Sequence, residues 1–186
     1  MKNISLNVSA ANHILIEEEE LDSALNSCLA VLGESLKACR SYIYTIENES
    51  VRESYSWINP ELKKNDAPLF DYLCKSIPEI ITPLRKGFHL VGFTNEIKEP
   101  FFKQIMFDRK VETYLYPYLK MIFFWGFLSF EHCYVVEWNL EIIELIKLFT
   151  KNISIKINEI RYKKNIGPSF DIFNTMTREL LKEYGN

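Results

Sequence analysis

A cysteine directly follows a histidine at His132-Cys133. A neighbouring imidazolium lowers a thiol's pKa and enriches the nucleophilic thiolate, so this pair could support covalent attachment or redox chemistry. The plainer reading is a cysteine at a strand end that packs under Trp138. The other cysteines, Cys28, Cys39 and Cys74, are spread along the chain and form no C-x-x-C pair. A metal centre needs three or four converging donors, and His13, His89 and His132 show no ligand spacing with the cysteines. No Gly-rich phosphate loop occurs, and no hydrolytic triad can be assembled from spacing. The sequence therefore favours a protein that is not an enzyme, and it identifies no cofactor.

Composition narrows the classes further. The 22 basic and 25 acidic side chains are mixed along the chain and leave a net charge of −3, which is not the footprint of a nucleic-acid binder. The apolar run beginning at Met121 is far shorter than the roughly 20 residues that cross a bilayer. The N-terminal MKNISLNVSAANHILI is not a signal peptide, and the scattered cysteines fit reduced thiols in a cytoplasmic protein. At 186 residues the chain is long enough for one domain with its own core, without disulfides or metal.

The elements follow from hydrophobic period. Ile4, Val8, Ala11 and Leu15 predict a helix over 4–16. After the acidic cluster Glu17–Glu20, Leu21, Leu25, Cys28, Leu29, Leu32 and Leu36 form the stripe of a second. Cys28 lies on that stripe and reads as a small buried hydrophobe. Residues 40–48 and 50–59 read as a hairpin in which Val51, Glu53, Tyr55 and Trp57 share a face. The four prolines of 60–87 suggest a long irregular connection with one helical turn near Leu69–Cys74. A strand is expected at Phe88–Phe93 and a helix at Ile97–Asp108, with Pro100 in its first turn. Val111–Leu119 and Met121–Glu131 read as strands joined around Leu119-Lys120. Asn139 is positioned to cap a helix over 140–163. Gly167-Pro168 ends it, and Phe170, Phe173, Met176, Leu180 and Tyr184 mark a final helix over 169–184. The aromatic run containing Phe124-Trp125-Gly126-Phe127 is expected to be a buried central strand.

Those residues carry a resemblance. Phe124-Trp125-Gly126-Phe127, then Phe130, Cys133, Glu137 and Trp138, resemble a signature of GAF domains of bacterial multi-sensor histidine kinases, with Glu131-His132 in place of paired aspartates. The segment 21–44 is similar to the opening of those domains, with Arg40, Tyr42 and Ile43 in pattern and Cys39 where an acid is usual. The likeness spans about 5–162, is specific over 121–149 and is loose over 60–110. It implies an α+β fold. A central antiparallel sheet of five or six strands would carry the terminal helices on one face, with loops and short helices on the other. Residues 1–163 would form the domain and 164–186 an appended C-terminal helix. It also implies a regulatory, non-catalytic role. Covalent bilin attachment is disfavoured, because the Cys-His order of bilin-binding relatives is reversed here. The residue sets of cyclic-nucleotide-binding relatives and of the free methionine sulfoxide reductases are not evident.

What remains is a small-molecule sensor with a mostly apolar pocket and a few polar groups, walled by the sheet face and the 60–110 cover. The ligand-binding candidates are Trp57, Phe70, His89, Phe102, Met106, Tyr114, Tyr116 and Ser129, all of which could equally be core. Ser129 is the most telling, since a hydroxyl inside an apolar strand needs a partner. The alternative is a ligand-free dimerisation or protein-interaction module. In either case the helices at 4–16, 140–163 and 169–184 would pair with a second copy and relay to a separate output partner such as a kinase or cyclase.

Overall fold

The computed structural model describes residues 2–62, 71–120 and 124–160. Helix α1 (Lys2–Glu17) and helix α2 (Leu21–Ser35) form an antiparallel pair. Strands β1 (Arg40–Glu47) and β2 (Ser50–Ile58) follow as a hairpin, then the short strand β3 (Asp71–Leu73) and helix α3 (Pro78–Arg85). Strand β4 (Leu90–Phe93) and helix α4 (Pro100–Asp108) lead to β5 (Thr113–Tyr116), β6 (Tyr118–Lys120) and β7 (Phe124–His132). Helix α5 occupies 140–160. The strands form one antiparallel sheet in the order β3-β2-β1-β7-β5-β4, with β6 continuing beside β7. This is the α+β architecture the sequence implied, and the Phe-Trp-Gly-Phe segment opens its central strand.

Period 2 along β7 and its neighbours divides the interior into two layers. Ile43, Leu115, Leu128 and Phe130 face α1, α2 and α5, meeting Leu25, Leu29, Ile146, Phe149 and Ile153. Tyr42, Tyr44, Tyr114, Tyr116 and Phe127 face the other way, toward Ile80, Ile81 and Leu84 of α3 and Phe102, Ile105 and Met106 of α4. Asn139 caps α5 as expected, its Oδ1 accepting from the Glu141 N–H at 2.7 Å.

Three expectations are corrected. Residues 71–85 are not irregular: Pro78 starts α3, where its missing N–H costs nothing, and the helix tolerates Pro83 one turn later. The strand pair 111–131 does not turn at Leu119-Lys120, because Lys120 is still paired with Phe124, and the connection at 121–123 lies outside the described residues. The face assigned to β2 is also split. Its register against β1 shifts between Ile43 and Tyr44, so that Ile43 pairs with Tyr55 but Tyr44 with Glu53. The extra residue, Ser54, puts Val51 in the α3 layer while Tyr55 and Trp57 pack in the helix layer. The expected ends at 161–163 and the helix at 169–184 fall outside the described residues.

Trp57 approaches α2 at Gly33. A Cβ built on Gly33 would stand 2.3 Å from Trp57 Cε3, so Gly33→Ala is expected to destabilise by about 1–3 kcal/mol despite alanine's better helix propensity. Combining it with Trp57→Leu should recover part of that loss in a double-mutant cycle measured by urea unfolding. Strict additivity of the two changes would refute the contact.

Candidate functional site

The α3/α4-facing layer holds a buried charge cluster where the start of β1 meets the end of β7. On β1, alternation puts Arg40, Tyr42 and Tyr44 on this face; on β7 it puts Phe127, Ser129 and Glu131 there; on β5, Tyr114 and Tyr116. Glu131 is fully buried, as is Ser129. Arg109, at the C-terminal end of α4, donates through Nη2 to Glu131 Oε2. The Tyr116 hydroxyl donates to Glu131 Oε1 at 3.0 Å, with the Met106 sulfur 3.4 Å from the same hydroxyl. Ser129 Oγ donates to that carboxylate oxygen from 3.0 Å. Arg40, only 2% exposed, lies 4.0 Å from Glu131 Oε2 and donates to the Arg109 carbonyl at 2.9 Å. Arg109 also sits over the Tyr42 ring, 5.4 Å from its centroid, a cation–π distance.

The rings around this cluster are continuous. Tyr42 meets Tyr44, Tyr44 meets Phe127, Phe127 meets Tyr116, and Tyr116 meets Tyr114, with centroids 4.9–5.5 Å apart. Phe102 closes the series edge-on to Tyr114 at 5.7 Å. Burial, followed by the charge of Glu131, pushes Tyr42 up to about 12, and burial raises Tyr44 and Tyr116 well above the ordinary phenol value. These tyrosines are therefore neutral donors at pH 7. Burial opposes the charge on Arg109, but Glu131 and the surrounding tyrosines hold its pKa above the usual guanidinium value. The arrangement offers phenol hydroxyls and guanidinium N–H groups in an apolar wall. Among the described residues no group of three or more His, Cys, Asp or Glu side chains is placed to hold a metal.

Of the residues expected to bind a ligand, Phe102, Met106, Tyr114, Tyr116 and Ser129 come together here. Trp57 does not, because the bulge at Ser54 turns it into the helix layer beside Gly33. His89 stands half-buried just before β4, where burial lowers its pKa and its charged neighbours are Lys147 and Glu144 of α5. Phe70 lies outside the described residues. Sequence reasoning did not single out Arg109, Glu131 or Tyr44 for this site, nor Arg40 and Tyr42 beyond their match to the family pattern. The signal was the alternation Arg40-Tyr42-Tyr44 and Phe127-Ser129-Glu131, which puts a charge at the end of each buried row.

A second feature lies at the end of α1. A groove of about 830 Å³ between α1 and α5 is lined by Asn12, Leu15, Ile16, Asn152, Ile155 and Lys156, among others. Asn152 Nδ2 donates to Asn12 Oδ1 at 2.8 Å across it. Ile16 and Ile155 are 72% and 64% exposed at its rim. No helix among the described residues is long and apolar enough to cross a membrane.

Comparison with solved structures finds the same fold. The phycoerythrobilin-bound GAF domain of a cyanobacterial phytochrome superposes with a TM-score of 0.76 at 12% identity, covering 87% of this chain and all of that one. The phycocyanobilin-bound GAF domain from a cyanobacterial phytochrome gives 0.74 at 12%, covering 84% and 94%. The chromophore-binding domain of an unusual bacteriophytochrome from R. palustris gives 0.72 at 11%, covering 84% of this chain and 61% of that one. No protein-family model and no curated protein matches the sequence. The fold is therefore that of a GAF domain.

Proposed function

We propose that this chain is a non-catalytic sensory module of the GAF type, which binds a small molecule between the sheet and the 60–110 cover. The observation that carries the reading is the Arg40–Glu131–Arg109 cluster. Buried charges that are costly to desolvate sit where the start of β1 meets the end of β7, beside a row of phenols, on the face opposite the terminal helices. Phycoerythrobilin and phycocyanobilin occupy the GAF domains of two of the neighbours named above, and bilins are the first probes to try. The Cys-His order argues against covalent attachment here. Binding would bias the packing of α3 and α4 on the sheet. Through the shared strands it would also bias α1, α2 and α5, toward a separate output partner such as a kinase or cyclase. A differential affinity of about 1–3 kcal/mol suffices for such a switch.

Native mass spectrometry of the purified chain, with a thermal-shift panel of bilins and cyclic nucleotides, tests this directly. A retained mass or a raised Tm is expected, and Tyr114→Ala should weaken it at least about tenfold, the equivalent of 1.4 kcal/mol. A wild-type protein that retains nothing and shifts with no probe would remove the ligand reading.

The exposed Ile16 and Ile155 favour a second role alongside it, homodimerisation through α1, α5 and the 169–184 segment. Sedimentation velocity should show a dimer that Ile155→Glu dissociates. A wild-type monomer at all concentrations would exclude it.

A further inference from the structure

We infer that Cys39 and Cys133 are a modification site: they close a reversible intramolecular disulfide under peroxide. Cys39 immediately precedes β1, and its N–H donates to the Glu131 carbonyl at 2.8 Å, which anchors it beside the end of β7. Cys133 is the first residue after β7. Its backbone N–H donates to Cys39 Sγ at 2.9 Å, although the two residues are 94 positions apart in sequence. The Cys133 side chain is hydrogen-bonded to the same sulfur. The two thiols therefore face each other where the first and last strands of the central pair meet.

The surroundings favour the anion on Cys39. The side-chain hydrogen bond from Cys133 outweighs burial and, with the backbone N–H and Arg40 assisting against Glu131, brings its pKa down to about 6. A sulfur that accepts two hydrogen bonds is stabilised as thiolate, the reactive form. The other two cysteines lack this environment. Burial pushes Cys28 up to about 12 and raises Cys74, and the Cys28 thiol is occupied in a hydrogen bond to the Ala11 carbonyl. Cys39 is 5% exposed, and Cys133 beside it is half-buried.

The oxidant is hydrogen peroxide. The Cys39 thiolate attacks one peroxide oxygen, the O–O bond breaks, and the departing hydroxide takes a proton to become water. Cys39 is then a sulfenic acid. The Cys133 sulfur attacks the Cys39 sulfur, the S–O bond breaks, and a second water leaves with the Cys133 proton. Two thiols have lost two electrons in total, and one peroxide has been reduced to two waters. The resulting bond would tie the start of β1 to the 133–139 segment that leads into α5. This gives the domain an input independent of any ligand in the tyrosine-lined layer.

The experiment is peptide mapping of the full, reduced wild-type chain after hydrogen peroxide. The expected product has lost the mass of two hydrogens, contains a peptide linking Cys39 to Cys133, and reverts with dithiothreitol. In Cys133→Ser the same treatment should leave a dimedone-reactive sulfenic acid on Cys39. Oxidised wild-type protein that carries only oxygen adducts, or whose cross-link involves Cys28, Cys74 or a second chain, would overturn the assignment. The wild-type map settles the matter even if the variant folds poorly.

Discussion

Gly126→Ala is expected to cost about 3 kcal/mol or more, at the upper end of what overpacking does to a protein interior. A Cβ on Gly126 would lie 1.9 Å from the Tyr44 carbonyl oxygen, 2.9 Å from its carbon and 3.1 Å from Thr45 Cα. All three are backbone atoms, so no rotamer change relieves the clash. The strand cannot step aside either. Gly126 is paired with Thr45 of β1 on one side and with Leu119 of β6 on the other. Relief would require parting β1 from β7 at the centre of the sheet. Gly92→Ala is the control: there a Cβ would meet the Tyr114 hydroxyl at 3.0 Å, the tip of a side chain on the neighbouring strand, and the cost should be about 1 kcal/mol or less. Urea unfolding with an unchanged m-value distinguishes the two. Equal midpoints for both variants would mean that β1 and β7 are less closely apposed than described.

Glu131→Gln should be nearly as damaging, about 3–5 kcal/mol, even though it preserves shape. The carboxylate is the buried anion against which Arg109 and Arg40 are placed, and it also accepts from Tyr116 and Ser129. Removing its charge leaves two guanidinium groups in a region that water does not reach. The paired replacement Glu131→Leu with Arg109→Met should be milder than Glu131→Gln alone, because an apolar pair of similar volume demands no desolvation of charge. Both effects are read from denaturant midpoints. A Glu131→Gln variant within about 1 kcal/mol of wild type would show that the carboxylate is solvated.

Most of the fold was legible because it is written in period. The stripes of α1, α2 and α5 and the apolar run of β7 each exceed what a loop would tolerate. The failures have separate physical causes. A period-2 reading of Val51, Tyr55 and Trp57 assumes an unbroken ladder, and a single bulged residue at Ser54 reverses the face of everything beyond it. Four prolines between 60 and 87 concealed α3: Pro78 at its start is compatible with a helix, but Pro83 lies inside it, where a proline ordinarily argues against one. The charge cluster was hidden by a habit of assigning Arg and Glu to solvent. Ser129 did need a partner, as its place in an apolar strand required, but the partner is Glu131 two residues along the same strand. A charged residue in register with a buried hydroxyl was the available clue.

The position of β7 also limits how the domain can move. Glu131 and Ser129 point to one layer while Leu128 and Phe130 point to the other. Slippage by one residue would bring Phe130 against the guanidinium groups and bury Glu131 among leucines. That mistake is too costly for any stimulus of a few kcal/mol to impose. The partition between the layers is therefore fixed in register, which leaves tilt or roll of the helices lying on either side as the motions open to the domain.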